Sequence, residues 1–258
     1  METSTIQAWR NADGGFGPVP GAPSEPEATA MVALAFDDDR ARGWIADAQQ
    51  ADGAVELRVG SVTRDVTSLG ALALPPGAER ERALDHVISV SGSNGADSTL
   101  ATDGWPWTDG THGWTEPTAW GLMALRLRPT ADDRIADALA FFVERECAGG
   151  GWNYGAPETL GVQIGPYVQT TALALLALGS DEPAVSARGV GVLERMWRSE
   201  SDGLLTLATT TCALRLGRSD QAEAAAAALA GYKGKADDTV TAAWVAFANG
   251  APGPWEMA

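Results

Sequence analysis

The sequence predicts an all-α fold: one domain over residues 1–258 in which six helical hairpins close into an (α/α)6 toroid. Three observations carry this reading. Six apolar segments can be laid over one another without gaps, at 24–34, 64–74, 115–125, 168–178, 206–216 and 237–247. Each follows a more amphipathic stretch and a glycine-containing turn. The segments begin 31 to 53 residues apart, the period of stacked helical hairpins. They are hydrophobic almost all round, which suits helices buried on every side. An open solenoid would leave one side of each exposed, so closure fits better.

The elements follow in order. Residues 6–11 lead to Asp13-Gly14-Gly15-Phe16-Gly17 and then SEPEATAMVAL, where Ser24 and Glu27 fit a capping box. Residues 41–50 lead through Asp52-Gly53 to RDVTSLGALAL, which reads as helix from residue 64. Residues 79–90 lead through a loop at 91–113 to TEPTAWGLMAL. There Thr115 is placed to cap the helix, and Glu116 and Pro117 suit its first turn. Residues 132–146 lead through 147–167 to VQTTALALLAL, 184–199 through Asp202-Gly203 to TLATTTCALRL, and 221–231 through Gly234 to DDTVTAAWVAF. The opposite connections, 37–40, 129–133 and 179–183, are short and charged. Asp37-Asp38-Asp39 therefore reads as an exposed turn and cap rather than a metal motif. The tail 250–255, GAPGPW, reads as non-helical and lying across one end.

The loops at 91–113 and 147–167 are long and rich in Trp and Tyr. Loops of that length inside a compact domain usually carry function. Composition narrows the classes. With 34 Asp+Glu against 18 Lys+Arg, the net charge is −16, which disfavours a nucleic-acid partner because phosphate binding needs clustered basic residues. Two cysteines, Cys147 and Cys212, make no disulfide framework. No apolar run approaches ~18 residues, so no transmembrane segment is expected, and the start METSTIQAWRNADGG reads as no signal peptide. The expectation is a cytoplasmic protein.

The turn Gln7-Ala-Trp-Arg-Asn-Ala-Asp13-Gly14-Gly15-Phe16-Gly17 is similar to the Q-x-x-x-x-D-G-G-[FW]-G repeat of the prenyltransferase and squalene-oxidase family. Gln49-Gln50-Ala-Asp52-Gly53 and Gly150-Gly151-Trp152-Asn153-Tyr154-Gly155 are further copies. The resemblance extends over nearly the whole chain and implies an (α/α)6 barrel with an apolar, aromatic-lined cavity. Squalene and oxidosqualene cyclases of this family protonate an alkene through a D-x-D-D-T-A signature. Here Lys235-Ala236-Asp237-Asp238-Thr239-Val240 keeps the last two acids and the threonine, with Lys235 in place of the first aspartate. A nearby ammonium favours an ionised carboxylate over a proton-carrying one. Two roles stay open for Asp237 and Asp238: proton donor, and cap of the sixth helix. The zinc ligands of protein prenyltransferases are not matched, since no D-x-C pair exists and Cys212 sits in an apolar segment. The cysteines of the lanthionine cyclases' W-C-x-G and C-H-G are absent too, so no metal and no cofactor are expected.

In this register one end of the fold carries Glu25, Asp65, Glu116, Gln169, Leu207 and Asp238, acids that also complement helix N-termini. The candidate catalytic residues are Asp237, Asp238 and Glu116. The candidate substrate-binding residues are Trp105, Trp107, His112, Trp114, Trp120, Trp152, Tyr154, Tyr167 and Trp244. Trp9, Trp44 and Trp197 read as packing. Arg64, Lys233 and Lys235 are placed to gather on a diphosphate if one is bound. Two functions fit. One is a terpenoid cyclase-like enzyme, acting by acid-initiated cyclisation or isomerisation of a small apolar, isoprenoid substrate. The other is a non-catalytic toroid that binds a lipid, peptide or glycan.

Overall fold

The computed structural model describes residues 3–94, 100–128, 130–200 and 203–257. Parts of the predicted connections, at 95–99, Pro129, Ser201 and Asp202, lie outside the described residues. The protein is all-α. Apolar helices alternate with amphipathic ones. The apolar set is α2 (Pro26–Phe36), α4 (Thr67–Ala73), α6 (Thr115–Leu125), α8 (Val168–Leu178), α10 (Leu204–Leu216) and α12 (Thr239–Ala248). The amphipathic stretches form α1 (Thr3–Gln7), α3 (Asp39–Ala48), α5 (Ala78–Ser89), α7 (Asp132–Glu144), α9 (Pro183–Glu200) and α11 (Ala222–Gly231). All residues of α6 but Glu116 and all of α8 but Gln169 are buried, as helices without a broad polar face require.

Each apolar helix packs on the next, α2 on α4, α4 on α6, α6 on α8, α8 on α10 and α10 on α12, and α12 packs back on α2. The cycle of contacts is therefore closed. Arginines follow the same order at the C-terminal ends. Arg126 after α6 donates to the carbonyls of Ala177 and Leu178 at the end of α8. Arg215 in α10 donates to Ala248 at the end of α12. Each cation meets carbonyls left without helical partners, and each pair of helices ends side by side.

A threonine in four of the apolar helices holds the glycine turn before it. The N–H of Phe16 donates to Thr29 Oγ1 at 2.9 Å, Val55 to Thr67 at 2.8 Å, Trp105 to Thr118 at 2.9 Å and Trp152 to Thr171 at 3.0 Å. In three of the four the hydroxyl also donates back to the carbonyl of the same residue. Gly104, before Trp105, has φ +61°, and a Cβ there would meet the Phe141 ring at 2.6 Å, so the turn needs glycine on two counts.

These threonines correct the register of the repeat. Aligning Thr29 with Thr118 and Thr171 moves the first segment from 24–34 to 26–36, the span of α2. The sixth moves likewise. Thr115 donates its N–H to the Tyr154 carbonyl at 3.0 Å and its hydroxyl to the Asn153 carbonyl at 2.6 Å. Thr239 does the same to Pro18 at 2.9 Å and Gly17 at 2.6 Å. The sixth segment thus starts at Thr239, not Asp237. In each case a helix start is hydrogen-bonded by the loop of the following repeat, and the first repeat follows the sixth.

Other local expectations change. Ser24 and Glu27 form no capping box: Glu25 occupies the cap position, and the Ser24 hydroxyl donates to Asp13 at 2.8 Å. Thr115 is the first helical residue, because its hydroxyl is drawn to Asn153; Trp114 holds the cap position. The second apolar helix begins at Thr67 after an antiparallel hairpin, β1 (Glu56–Val59) and β2 (Val62–Asp65). A second small hairpin, β3 (Glu158–Thr159) with β4 (Val162–Gln163), lies in the 147–167 loop. The tail does contain one 3-10 turn, Pro254–Glu256, which stacks Trp255 on Trp244. Asp38 caps α3 by accepting from the Ala41 N–H at 2.9 Å, so the aspartate triplet is a turn and cap, but Asp38 is buried against Arg10 instead of exposed. Among the described residues, no helix is long and apolar enough to cross a membrane.

The threonine bridges give a direct test. Thr171→Val keeps the volume and leaves the fully buried Trp152 N–H unpaired, at an expected cost of about 1–3 kcal/mol. In urea unfolding the midpoint falls and the slope is unchanged.

Candidate functional site

The corrected register puts Glu27, Asp65, Glu116, Gln169 and Val240 at one equivalent position, one residue into each helix or its extension. Glu27, which sequence reasoning considered only as a capping partner, thus replaces Glu25 as the counterpart of Glu116. The threonine spacing was the signal that could have shown it. Asp238 moves to the cap position with Glu25, Trp114 and Tyr167. Its side chain accepts from the Thr241 N–H at 2.8 Å. Asp237 is exposed in the preceding loop. The structure therefore gives Asp238 the work of a cap and leaves Asp237 in solvent.

Glu116 stands differently. It is half-buried, the one residue of α6 that is not fully buried. Burial, with the Glu27 carboxylate as a second cause, pushes its pKa up to about 7 against the opposing effects of Arg64 and the Trp120 indole N–H. Burial raises Glu27 as well, with Arg64 opposing. Arg64 reaches Glu27 at 3.8 Å and lies over the Trp107 ring at 3.9 Å. Glu25, half-buried, is raised by burial and by Glu27 and lowered by Arg64, so the cluster is three acids around one guanidinium, and the acid farthest from compensation keeps its proton.

Asp65, next to Arg64, behaves in the opposite way. Burial would raise it, but hydrogen bonds from His86 and Thr67 outweigh that and hold its carboxyl below the usual range. His86 Nε2 lies 3.1 Å from Asp65, and this hydrogen bond raises the imidazole against burial. His86 sits on the amphipathic α5 and carries no motif that marks it in the sequence.

Below Glu116 in α6, Trp120 meets Trp244 of α12 with ring centroids 6.0 Å apart. These helices are three steps apart in the contact cycle, so the pair reaches across it. Trp244 is backed by Phe247 and stacked on Trp255. The two rings expected to line a cavity therefore pack against each other and against the tail, each 4% exposed.

The two long loops bring together only part of the expected aromatic set. His112 and Trp114 lie with centroids 4.3 Å apart, and Tyr154 and Tyr167 at 5.1 Å. All four line one open cavity of about 550 Å³. Trp105 and Trp152 are buried beneath the loops. Their indole N–H groups donate to the carbonyls of Val87 and Phe142, at 2.9 and 2.8 Å, and both pack in the core. Gly121 lets the Trp105 ring lie flat against α6. Trp107 belongs to Arg64 rather than to this cavity.

Arg145, another residue the sequence did not flag, ties the loops together. Its guanidinium is 2% exposed and donates to the Gly155 carbonyl at 2.7 Å, the Thr102 carbonyl at 2.8 Å and Asn94 Oδ1 at 3.1 Å. The proposed phosphate cluster does not assemble: Lys235 lines a separate cavity with Trp9 and Leu229, while Arg64 is held by Glu27 and Trp107. Among the described residues, no group of three or more His, Cys, Asp and Glu side chains is placed to hold a metal ion. Cys212 is buried in α10, and burial pushes its thiol up to about 12.

No protein-family model matches the chain, and no curated protein matches it.

The raised acid makes a stability prediction. Between the ordinary value 4.5 and about 7, the folded state holds a proton on Glu116 that the unfolded chain releases. Stability from this group therefore falls as pH rises through that window and is level above it. The full effect is at most about 3 kcal/mol, and less because Glu116 keeps some contact with water. Glu116→Gln should remove this slope and be the more stable protein at pH ~8, as read by urea unfolding across pH.

Proposed function

We propose that the six apolar helices form an (α/α)6 toroid, and that the protein is a terpenoid cyclase-like enzyme. In this reading Glu116 protonates an alkene of a neutral, isoprenoid-like chain and so starts its isomerisation or cyclisation. The closed cycle of contacts and the paired C-terminal ends support the toroid. The observation that carries the chemistry is the half-buried Glu116 carboxyl set against Trp120, which in turn meets Trp244.

Protonating an alkene needs an acid that keeps its proton at neutral pH and stands where water does not compete. Burial and the neighbouring Glu27 supply the first condition. The proton passes from the Glu116 carboxyl to one alkene carbon, leaving positive charge on the other. The Trp120 face and the Glu27 carboxylate stabilise that charge where it develops. Loss of a neighbouring proton to the Glu116 carboxylate restores the acid and yields a shifted alkene. Attack by a second double bond before that loss yields a ring. Trp244, Phe247 and Trp255 close the aromatic wall behind Trp120. The substrate therefore meets the acid from the N-terminal side of the helices instead of threading through. This favours a short chain, or one end of a longer one.

The test is turnover of geranylgeraniol or squalene in D2O, followed by mass spectrometry for deuterium on carbon. Glu116→Gln should lower the rate about 10²-fold or more. The rate should fall as pH rises through about 7, where the acid loses its proton. Equal turnover by Glu116→Gln removes Glu116 as the acid. No deuterium uptake from either substrate removes the enzymatic reading.

A further inference from the structure

The cavity between the two long loops makes a second site, separate from the acid at Glu116. We propose that the groove lined by His112, Trp114, Tyr154 and Tyr167 binds a proline-rich peptide in the polyproline II conformation, with basic residues flanking the prolines.

The rings come first. In a chain whose Trp105, Trp120, Trp152 and Trp244 are all at most 4% exposed, Tyr154 and Tyr167 stand 60% and 43% exposed in one groove. A concentrated exposed aromatic patch marks an interaction site. The rings form two tilted pairs, 39° between His112 and Trp114 and 43° between Tyr154 and Tyr167. Two tilted pairs lining one groove suit successive X-Pro steps of an extended chain.

The polar edges agree. Among the described residues, the Tyr154 and Tyr167 hydroxyls, the Trp114 indole N–H and the His112 ring nitrogens have no hydrogen-bond partner. All can donate. A polyproline II chain makes no internal hydrogen bonds and presents free carbonyls. By contrast the groove's amide side chains, Asn94 and Asn153, are taken up by their own loops. A purely apolar chain in this open groove would stay partly in water and satisfy none of these donors.

Rigidity and charge complete the argument. Buried Arg145 holds both loops, and the Thr115 N–H bonds the Tyr154 carbonyl, so the groove is pre-formed and little ordering is lost on binding. Among the described residues no acid lines the groove, and its one lining cation, Arg145, lies 3.8 Å from Glu144. Exposed Glu158 neighbours the lining Thr159, and Asp103 bonds the lining Asn94, so the rim is acidic on a protein of net charge −16. Flanking Arg or Lys suits that rim.

The experiment is titration of the full chain with acetyl-decaproline-amide, and with the same peptide carrying two arginines at each end, by calorimetry and Trp fluorescence. Both should bind, the arginine form several-fold tighter at low salt, with the difference lost near ~1 M salt. Tyr154→Ala and Trp114→Ala should each weaken binding about tenfold or more, and Tyr154→Phe less. Tyr154 is largely exposed, so its variants keep the fold even if Trp114→Ala does not. Glu116→Gln should bind the peptide normally, which separates this site from the acid. Absence of saturable binding by either peptide, or binding unchanged in Tyr154→Ala, overturns the proposal. Binding of cellohexaose or chitohexaose that is lost in Tyr154→Ala, without peptide binding, overturns it in favour of a glycan site.

Discussion

The fold depends on one recurring contact, a threonine hydroxyl that satisfies the backbone of the glycine turn lying beside its helix. A turn entering a buried helix carries an N–H and a carbonyl out of water, and an unpaired buried amide costs about as much as a lost hydrogen bond. Thr29, Thr67, Thr118 and Thr171 meet that need from within helices that are otherwise apolar. A threonine can do so because its hydroxyl both donates and accepts. The seam between chain ends uses a related contact, Thr239 to Gly17 and Pro18 across 222 residues of sequence. The contact cycle is thereby closed by the chemistry that also links neighbouring repeats.

This arrangement sorts charge by end. Glu25, Glu27 and Glu116 stand at helix starts, while Arg126 and Arg215 serve helix ends, each on the side where the peptide dipoles favour it. The benefit is not uniform. Asp65 is held ionised by His86 and Thr67, whereas Glu116 is half-buried beside a second carboxylate and keeps its proton near neutrality. Two acids at equivalent positions thus carry opposite protonation tendencies. The difference arises from their partners, since His86 and Thr67 both donate to Asp65, whereas Glu116 has the Trp120 N–H and a shared arginine against a neighbouring carboxylate.

The loops divide their aromatics between support and display. Trp105 and Trp152 follow the glycine turns directly, and their N–H groups are captured by threonine, which turns the side chains inward. His112, Trp114, Tyr154 and Tyr167 lie farther along the loops, where the Arg145 hub fixes the backbone but leaves the rings outside. The buried arginine is tolerated because three carbonyl or amide oxygens accept from it and the Glu144 carboxylate lies 3.8 Å from its Nε.

Sequence alone determined the helical class, the alternation of apolar and amphipathic helices, and the position of nearly every element. All-round hydrophobicity and glycine turns are local properties, and they are read without knowing what packs against what. The aspartate triplet as a turn and cap, and the packing of Trp197, were legible for the same reason. Register was not. A shift of two residues in the first and sixth segments leaves their hydrophobic patterns nearly unchanged, because segments buried on all sides have no polar face to fix phase. Only the threonine contacts to distant loops decide it. That decision makes Glu27 the partner of Glu116, makes Asp238 a cap and leaves Asp237 exposed. The same limit explains His86 and Arg145. Each acts on a residue from another segment of the chain, and a titratable group's behaviour is set by the neighbours that folding brings to it.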